Sequence, residues 1–286
     1  MDINQLKEIL SEFGDSVRFN YDLKKKNWFN IGGKSKVFYK SKNLRELVNF
    51  LKKLQNSEKI FILGAGSNTL ISDNLFDGVV IKLNKNFNNI SLLKEDIIIA
   101  GSAVLDKSLS DFALNNSISG FEFLSCIPGT IGGGIRMNAG CFDKEFKDIL
   151  LSVQAIDKSG NIITIPSKDI KFEYRESDLS DDLIFLSASF KGVKSNKIKI
   201  KDKMNKLKIE KETNQPSKIK TSGSTFKNPK DQTDKKVWEL IKSHIPKGTN
   251  FGDASISEKH ANFFVNNKNA KYEDMKSLID YVKKKN

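Results

Sequence analysis

The spacing of apolar residues alternates along the chain between a helical and a strand-like period. Apolar positions recur about every 3.6 residues in the opening segment, where Ile3, Leu6 and Leu10 share one helical face among charged residues. Five later segments show helical spacing or the polar composition of a surface helix. Helices are predicted over residues 1–17, 44–54, 105–115, 196–214, 237–243 and 272–284.

Short apolar runs between turn-forming residues indicate β-strands. The run from Lys59 to Leu63, ended by Gly64, is typical of a buried strand. The sequence Lys158-Ser-Gly-Asn161 between two later runs predicts a hairpin turn. Strands are predicted within 27–40 and over 59–63, 79–83, 96–100, 153–157, 162–165, 183–186 and 261–266. The mixture of helices and strands predicts an α+β fold.

Two glycine-rich segments stand out between these elements. Gly64-Ala-Gly66-Ser-Asn68 is similar to the start of a dinucleotide-binding fingerprint, but Thr69 replaces the third glycine and a strand follows where a long helix belongs. The second segment, from Cys126 to Gly140, contains five glycines and is predicted to be a loop. Such glycine density allows backbone N–H groups to crowd around an anion. Both segments are therefore candidates for phosphate contact.

The charge and cysteine content narrow the choice of partners. The 48 Lys and Arg residues exceed the 35 Asp and Glu residues and give a net charge of +13, but the lysines are scattered and lack interleaved aromatic residues. This spread indicates the composition of an AT-rich genome more than a nucleic-acid-binding surface. Cys126 and Cys141 are too few for a disulfide framework, and no spacing suggests a metal site. No membrane span is predicted, and a cytoplasmic location is expected.

The order of several further motifs resembles the UDP-N-acetylenolpyruvoylglucosamine reductase family over nearly the whole chain. Beyond Leu63–Asn68 and Ile127–Gly134, the resemblance extends to segments before and after the glycine-rich region. These segments are Asn30-Ile-Gly-Gly33, Met137-Asn-Ala-Gly140, Phe172-Glu-Tyr-Arg-Glu-Ser177, Gln215-Pro216, Gly223-Ser-Thr-Phe-Lys-Asn-Pro229, Trp238-Glu-Leu-Ile241 and Ser257-Glu-Lys-His-Ala-Asn-Phe263. One glycine loop alone would be a weak signal, whereas the ordered series is specific.

The resemblance implies the FAD-binding fold of the vanillyl-alcohol-oxidase type. Residues 1–26 would then form an N-terminal helix and lead-in. Residues 27–195 would form the FAD-binding domain, with subdomains at about 27–88 and 89–195. Residues 196–286 would form a C-terminal substrate-binding domain.

The resemblance also implies a reaction. In this family NADPH reduces FAD, and the flavin passes hydride to UDP-N-acetylglucosamine enolpyruvate to give UDP-N-acetylmuramate for peptidoglycan synthesis. The implied FAD contacts fall on the two glycine segments. They are Gly64, Ala65, Gly66, Ser67, Asn68, Pro128, Gly129, Thr130, Gly132, Gly133, Asn138 and Gly140.

The chemistry needs a cation at the substrate carboxylate and a proton donor at carbon. The resemblance assigns these roles to Arg175 and Ser224, although spacing alone would make Arg175 a structural ion pair and Ser224 a turn residue. Asn228 is expected to hydrogen-bond the substrate, with Lys227 as a weaker candidate for an anionic group.

Two histidines bear on how FAD would be attached, because flavoproteins of this fold sometimes tether it through histidine. His244 and His260 lie outside both glycine segments, so non-covalent FAD is expected. His260 is expected to be structural. A monomer that binds neither nucleic acid nor membrane is expected.

The resemblance is weakest at the last residues. Members of the family continue with a strand and a glutamate that assists the enol intermediate opposite the serine, and no residue here matches that glutamate. Weak turnover with intact FAD binding is therefore one expectation. Three alternatives also stay open at this point: a flavoenzyme of the same fold with another substrate, a non-enzymatic FAD- or UDP-sugar-binding homologue, and a basic nucleic-acid-binding module.

Overall fold

The computed structural model describes residues 1–55, 57–229 and 232–285. The helices in these residues are α1 (Ile3–Ile9), α2 (Leu44–Leu54), α3 (Asp106–Asn115), α4 (Ile131–Arg136), α5 (Lys197–Asn214), α6 (Val237–His244) and α7 (Tyr272–Lys285). The strands in the first half of the chain are β1 (Val17–Asp22), β2 (Lys34–Ser41), β3 (Ile60–Ile62), β4 (Phe76–Leu83), β5 (Ile90–Lys94), β6 (Ile97–Gly101), β7 (Ile118–Ser119), β8 (Gly140–Cys141) and β9 (Lys144–Glu145). Those in the second half are β10 (Leu150–Ile156), β11 (Ile162–Pro166), β12 (Phe172–Glu173), β13 (Glu176–Ser177), β14 (Ile184–Lys191), β15 (Val193–Lys194), β16 (Asn250–Phe251), β17 (Ala254–Ile256) and β18 (Phe264–Asn266).

The chain forms two compact units, each assembled from three separate stretches. The first unit comprises Met1–Asn20, Lys36–Ala65 and Asp77–Ile209. The second unit comprises Tyr21–Ser35, Gly66–Phe76 and Glu210–Asn286. The backbone therefore passes between the units several times.

The first unit contains two hydrophobic cores. A five-stranded sheet in the order β11–β10–β14–β6–β5 is antiparallel throughout, and one core includes Phe121, Phe146 and Phe190. The other core includes residues of a second sheet, β1–β2–β4–β3, in which β3 and β4 are parallel. There the rings of Tyr39 and Phe50 stack with centroids 3.7 Å apart. The first unit therefore contains two separate hydrophobic cores.

The second unit is built around the three-stranded antiparallel sheet β16–β17–β18. Helices α6 and α7 contribute Ile241, Met275 and Leu278 to its core, together with Phe264 of β18. The stretch 21–35 joins this core through Phe29, whose carbonyl accepts a 2.8 Å hydrogen bond from the buried Asn266 Nδ2. An early segment of the sequence thus becomes part of the C-terminal core.

Many predicted elements agree with the structure. The prediction for 44–54 matches α2, and the helices predicted near 105–115, 196–214, 237–243 and 272–284 are present with small shifts at their ends. The hairpin predicted at Lys158–Asn161 joins β10 to β11 in antiparallel register. Helices α2, α6 and α7 were predicted correctly because their own periodicity matches the face that they bury, whereas α5 was predicted from its polar composition.

Other predictions were wrong in extent. The opening α-helix ends at Ile9. It is followed by 3₁₀ turns over Ser11–Ser16, which a non-helical backbone at Gly14 (φ 48°, ψ −129°) interrupts, and β1 begins at Val17. The segment from Cys126 to Gly140 was predicted as a loop but contains α4. The final predicted strand starts at Phe264 instead of residue 261. The strands that were not predicted are β1, β5, β7, β8, β9, β12, β13, β15, β16 and β17.

The predicted domain boundaries at 26/27 and 195/196 do not coincide with the limits of the two compact units. Residues 27–35 and 66–76 group with the C-terminal stretch, and 197–209 group with the first unit. Hydrophobic spacing predicts local structure. It does not predict which stretches, distant in sequence, fold into the same unit. The three-part domain assignment remains a prediction.

Helix α5 is the longest helix among the described residues and is mostly solvent-exposed. Ile200 is buried, whereas Ile198 and Ile209 are exposed. Seven lysines along α5 make it strongly polar. Within the described ranges, neither this helix nor any other is apolar over enough residues to cross a bilayer.

Candidate functional site

The two glycine-rich segments meet inside the first unit. A Cβ added to Gly64 would lie 2.7 Å from Thr130 Oγ1, so glycine is required for this approach. Lys82, from β4, donates a 2.7 Å hydrogen bond from Nζ to the Gly64 carbonyl oxygen. Gly64 and Thr130 were both predicted cofactor contacts, and Lys82 was missed. A charged residue directly after the apolar run Val79-Val-Ile81 was the available signal.

The second glycine segment packs closely against residues 102–104. The backbone N–H groups of Ile131 and Gly132 donate to the carbonyl oxygens of Val104 and Ser102, each at 2.9 Å. A Cβ on Gly134 would come within 2.3 Å of the Phe146 ring. Part of the glycine density therefore serves helix packing, which explains why this predicted loop contains α4.

Asp106 is a completely buried carboxyl beside this segment. A Cβ on Gly129 would lie 2.5 Å from Asp106 Oδ2, and the Asp106 N–H donates to the Gly129 carbonyl oxygen at 3.2 Å. Neither carboxyl oxygen has a hydrogen-bond partner among the described residues. Burial raises the pKa of the Asp106 carboxyl well above its usual range, so the neutral acid is the form that the fold favours.

Asp106→Asn is expected to stabilise the protein at neutral pH, because asparagine keeps the shape and cannot ionise. A carboxyl whose pKa is raised on folding contributes its full stability below the unfolded-state pKa and loses it as pH rises through the folded-state pKa. The variant's advantage, on the order of 1 kcal/mol, should be present at pH 7 and disappear near pH 4. Urea unfolding across this range measures it. Lower stability of the variant at every pH would contradict a neutral Asp106.

Gly66, the second glycine of the first motif, belongs to the second unit. Its φ is +69°, and an added Cβ would lie 2.3 Å from the Lys26 carbonyl oxygen. The Trp28 N–H donates to the Gly66 carbonyl oxygen at 2.9 Å. Both backbone conformation and space therefore require glycine at this position. The predicted contacts Ser67 and Asn68 follow Gly66 in the same unit, whereas Gly64 and Ala65 belong to the first unit.

Gly66→Ala is expected to lower the free energy of unfolding by about 2 kcal/mol or more, because strain at positive φ adds to a backbone clash. Gly248→Ala is the matched control in the same unit. Gly248 has φ +79°, but its added Cβ would meet nothing within 4 Å. Thermal unfolding should show a clearly larger loss for Gly66→Ala. Equal losses would mean that the clash with Lys26 contributes nothing.

A buried polar network links Asn138 to Arg175. Asn138 is fully buried, and its Nδ2 donates to Glu145 Oε2 and to the Glu173 carbonyl oxygen, each at 3.0 Å. Its Oδ1 accepts from the Lys147 N–H at 3.1 Å. The Asn138 amide thus holds the local fold together. Its predicted contact with a cofactor remains a prediction.

Arg175 occupies the two-residue turn of the β12–β13 hairpin. Its φ of 62° is uncommon for a side chain with Cβ, and such conformations are often found at functional sites. Nη2 donates to the Gly140 carbonyl oxygen at 2.6 Å, while Nη1 lies 3.5 Å from Glu145 Oε1. The side chain keeps 28% of its surface exposed. The structural ion pair that the spacing alone would favour for Arg175 is present, and the side chain is not fully enclosed by protein.

Ser224 lies in a polar loop attached to the edge of β18. Its backbone forms a β-bridge with Phe263, and the next N–H, that of Thr225, donates to the Asn262 carbonyl oxygen at 2.8 Å. The Ser224 residue itself is exposed. The loop is therefore fixed by hydrogen bonds while the serine faces solvent. Arg175 belongs to the first unit and Ser224 to the second.

The remaining predicted site residues lie near this loop. The Val237 N–H at the start of α6 donates to Asn228 Oδ1 at 3.1 Å, so the amide oxygen has a structural partner. Lys227 is exposed. Burial lowers the pKa of the His260 imidazole, whose ring packs edge-on against Phe263 with centroids 4.7 Å apart. His244 is exposed, and its Nδ1 lies 2.9 Å from the Leu240 carbonyl oxygen.

A flat anionic cofactor would find suitable surroundings in the first unit. The missing Cβ of Gly64 lets the Thr130 hydroxyl approach the backbone there, and a Cβ on Gly132 would lie 3.2 Å from Ser102 Cβ. Lys82 adds a positive charge beside Gly64. These residues fit a cofactor that carries phosphates, because glycine-rich backbone and a nearby cation both favour anions.

Comparison with protein families gives two matches along the chain. The profile of an FAD-binding domain matches residues 36–166. The profile of the UDP-N-acetylenolpyruvoylglucosamine reductase C-terminal domain matches residues 215–285. The first match covers both the Gly64 and Thr130 segments, and the second covers Ser224.

Individual relatives agree with these matches. A UDP-N-acetylenolpyruvoylglucosamine reductase of Pelagibacter ubique is 64% identical over 283 residues, which is 99% of this chain and 94% of that protein. The enzyme of the same name from Rickettsia typhi is 45% identical over 93% of this chain and 89% of its own length. The crystal structure of UDP-N-acetylenolpyruvylglucosamine reductase from Thermus caldophilus superposes with a TM-score of 0.82 at 28% identity and covers 94% of each chain.

Proposed function

The chain belongs to the UDP-N-acetylenolpyruvoylglucosamine reductase family, and from this premise we propose how its own residues carry out the reduction. The protein is an oxidoreductase with the α+β FAD-binding fold of the vanillyl-alcohol-oxidase type and uses FAD. Its reaction is the reduction of UDP-N-acetylglucosamine enolpyruvate in peptidoglycan precursor synthesis. The finer assignments below are proposals.

The glycine segments are proposed to hold the cofactor through backbone contacts. The Thr130 hydroxyl packs against Gly64, where any other residue would place a Cβ, and Lys82 donates to the Gly64 carbonyl oxygen. FAD, when bound, supplies the hydride that saturates the enolpyruvyl double bond. Neither histidine lies in these segments, which supports non-covalent binding. NADPH is proposed as the reductant of the flavin.

Arg175 is proposed to stabilise the negative charge that develops on the substrate carboxylate. Hydride addition at one carbon leaves an enolate, which a fixed cation stabilises more than it stabilises the ground state. The guanidinium is fixed by the Gly140 carbonyl oxygen and by Glu145, so little reorganisation is needed during the reaction. Asn228 and Lys227 are proposed to contact other polar groups of the substrate.

Ser224 is proposed to deliver the proton to the second carbon. A serine hydroxyl is a weak acid, so its contribution depends on placement against the reacting atom. The observation that carries the proposal is that Ser224 is exposed on a loop whose neighbouring backbone is tied to Phe263 and Asn262. Such a loop presents one hydroxyl group in a defined position.

The purified protein provides the test. A flavin absorption spectrum should be visible, and NADPH oxidation should accelerate when UDP-N-acetylglucosamine enolpyruvate is added. Mass spectrometry of the product should show the gain of two hydrogens. A flavin that NADPH reduces but the enolpyruvyl compound does not reoxidise would instead support an FAD-binding homologue with weak or lost reductase activity.

A further inference from the structure

Asn262 makes an unusual set of contacts with the loop that carries Ser224. Its side-chain Oδ1 accepts from the Phe226 N–H at 3.0 Å, and its Nδ2 donates to the Phe226 carbonyl oxygen at 3.0 Å. One amide therefore satisfies both backbone groups of a single loop residue, as a neighbouring strand would. The main-chain carbonyl of Asn262 also accepts from the Thr225 N–H at 2.8 Å.

Burial and further contacts stabilise the hydrogen bonds between Asn262 and the Ser224 loop. Asn262 is only 4% exposed, so water competes weakly for its hydrogen bonds. Its own N–H donates to His260 Nδ1 at 3.2 Å. On the loop side, the Phe226 ring packs at 82° against Phe264, with centroids 5.6 Å apart. The anchor two residues after Ser224 is thus held by both polar and apolar contacts.

The chemistry of the contacts requires asparagine. Aspartate has the same shape but cannot donate two N–H groups, and glutamine places the same amide one methylene further out. Simple burial would be better served by an apolar side chain. Retaining a buried amide here is explained by its bonds to Phe226.

We propose that Asn262 is the positioning residue that holds the Ser224 loop in register for proton delivery. This inference rests on the proposed role of Ser224. Since a displacement of about 1 Å can cost on the order of 100-fold in rate, loss of one of the two Phe226 bonds is enough to affect the proton step. Asn262 itself need not touch the substrate.

Asn266 provides a matched control within the same unit. It is also buried, its Nδ2 donates to the Phe29 carbonyl oxygen at 2.8 Å, and its Oδ1 accepts from the Ala270 N–H at 2.8 Å. Its amide thus does the same structural task as that of Asn262, but for segments other than the serine loop. Asn262→Asp and Asn266→Asp should both lower Tm.

The two half-reactions separate positioning from stability. With the flavin-loaded protein in a stopped-flow instrument, Asn262→Asp should slow reoxidation by UDP-N-acetylglucosamine enolpyruvate about 10- to 100-fold and increase the D₂O solvent isotope effect on that step. Flavin reduction by NADPH and FAD affinity should stay within about 2-fold, because neither depends on the serine loop. Asn266→Asp should leave both half-reactions within about 2-fold of the unsubstituted protein.

The possible results test the positioning role of Asn262 and the proposed function separately. Equal effects of the Asn262 and Asn266 substitutions on reoxidation would overturn the positioning role. If Asn262→Asp does not fold, Asn262→Gln, which keeps the amide but shifts it, is compared with Asn266→Gln by the same criteria. Failure of the unsubstituted protein to reoxidise its flavin with the enolpyruvyl compound would overturn the proposed function and this inference together.

Discussion

Ser224→Ala is expected to slow flavin reoxidation by UDP-N-acetylglucosamine enolpyruvate by about 10²- to 10⁴-fold, the range that general acid catalysis contributes. The physical reason is that alanine removes the proton donor without changing the backbone, which Phe263 and Asn262 hold. Flavin reduction by NADPH should not change, because no proton from this serine is needed in that step. Stopped-flow absorbance of the flavin measures both half-reactions.

Ser222→Ala is the control for this prediction. Ser222 lies two residues earlier in the same loop, and its Oγ is buried and lacks a hydrogen-bond partner in the described part of the chain. Removing that hydroxyl should leave reoxidation within about 2-fold of the unsubstituted rate. If Ser224→Ala behaves like Ser222→Ala, Ser224 is a turn residue, the role that its sequence context alone would favour.

Arg175→Gln is expected to lower kcat for enolpyruvyl reduction by about 10²- to 10³-fold, as for loss of one preorganised group at a developing oxyanion. Glutamine keeps much of the length of the side chain but removes the positive charge, while Glu145 retains its contacts with Asn138 and Lys147. The effect should fall on kcat more than on KM, because the charge develops in the transition state. Steady-state kinetics with saturating NADPH separates the two constants.

Arg136→Gln is the control that distinguishes charge stabilisation by Arg175 from a purely structural contribution. The Arg136 guanidinium donates to the carbonyl oxygens of Ser180 and Leu183, each at 3.0 Å, and packs on the Phe185 ring. Its removal should lower Tm with little effect on kcat per folded molecule. If Arg175→Gln shows only this pattern, its bonds to Gly140 and Glu145 are structural and another residue meets the carboxylate.

Secondary structure was predicted best where the apolar residues of a segment are also the ones that it buries. Helix α2 could be placed from its periodicity because the residues that define its apolar face also fill the core. The opening helix could not, since the α-helix ends at Ile9 although Phe13 continues the pattern. Strand β5 was missed because it lies at a sheet edge, where side chains such as Leu93 are exposed and the usual alternation is lost.

The candidate site shows the same division between local and long-range information. The family motifs identified Ser224 and Arg175 but gave no information on the residues that contact them. They assigned no role to Lys82, Glu145 or Asn262, because the contacts of these three residues are with partners 18, 30 and 36 positions away in the sequence. Lys82 follows an apolar run and Asn262 lies within one of the family motifs, but neither position by itself indicates a role. Their function became visible once the folded chain supplied the carbonyl, guanidinium and backbone groups that they contact.

Anaerobic mixing of the NADPH-reduced protein with UDP-N-acetylglucosamine enolpyruvate tests the central claim most directly. The proposed reduction predicts that the oxidised flavin absorption returns within the turnover time and that one equivalent of UDP-N-acetylmuramate forms per flavin. A reduced flavin that persists in the presence of this compound, and reoxidises only when oxygen is admitted, would contradict the claim.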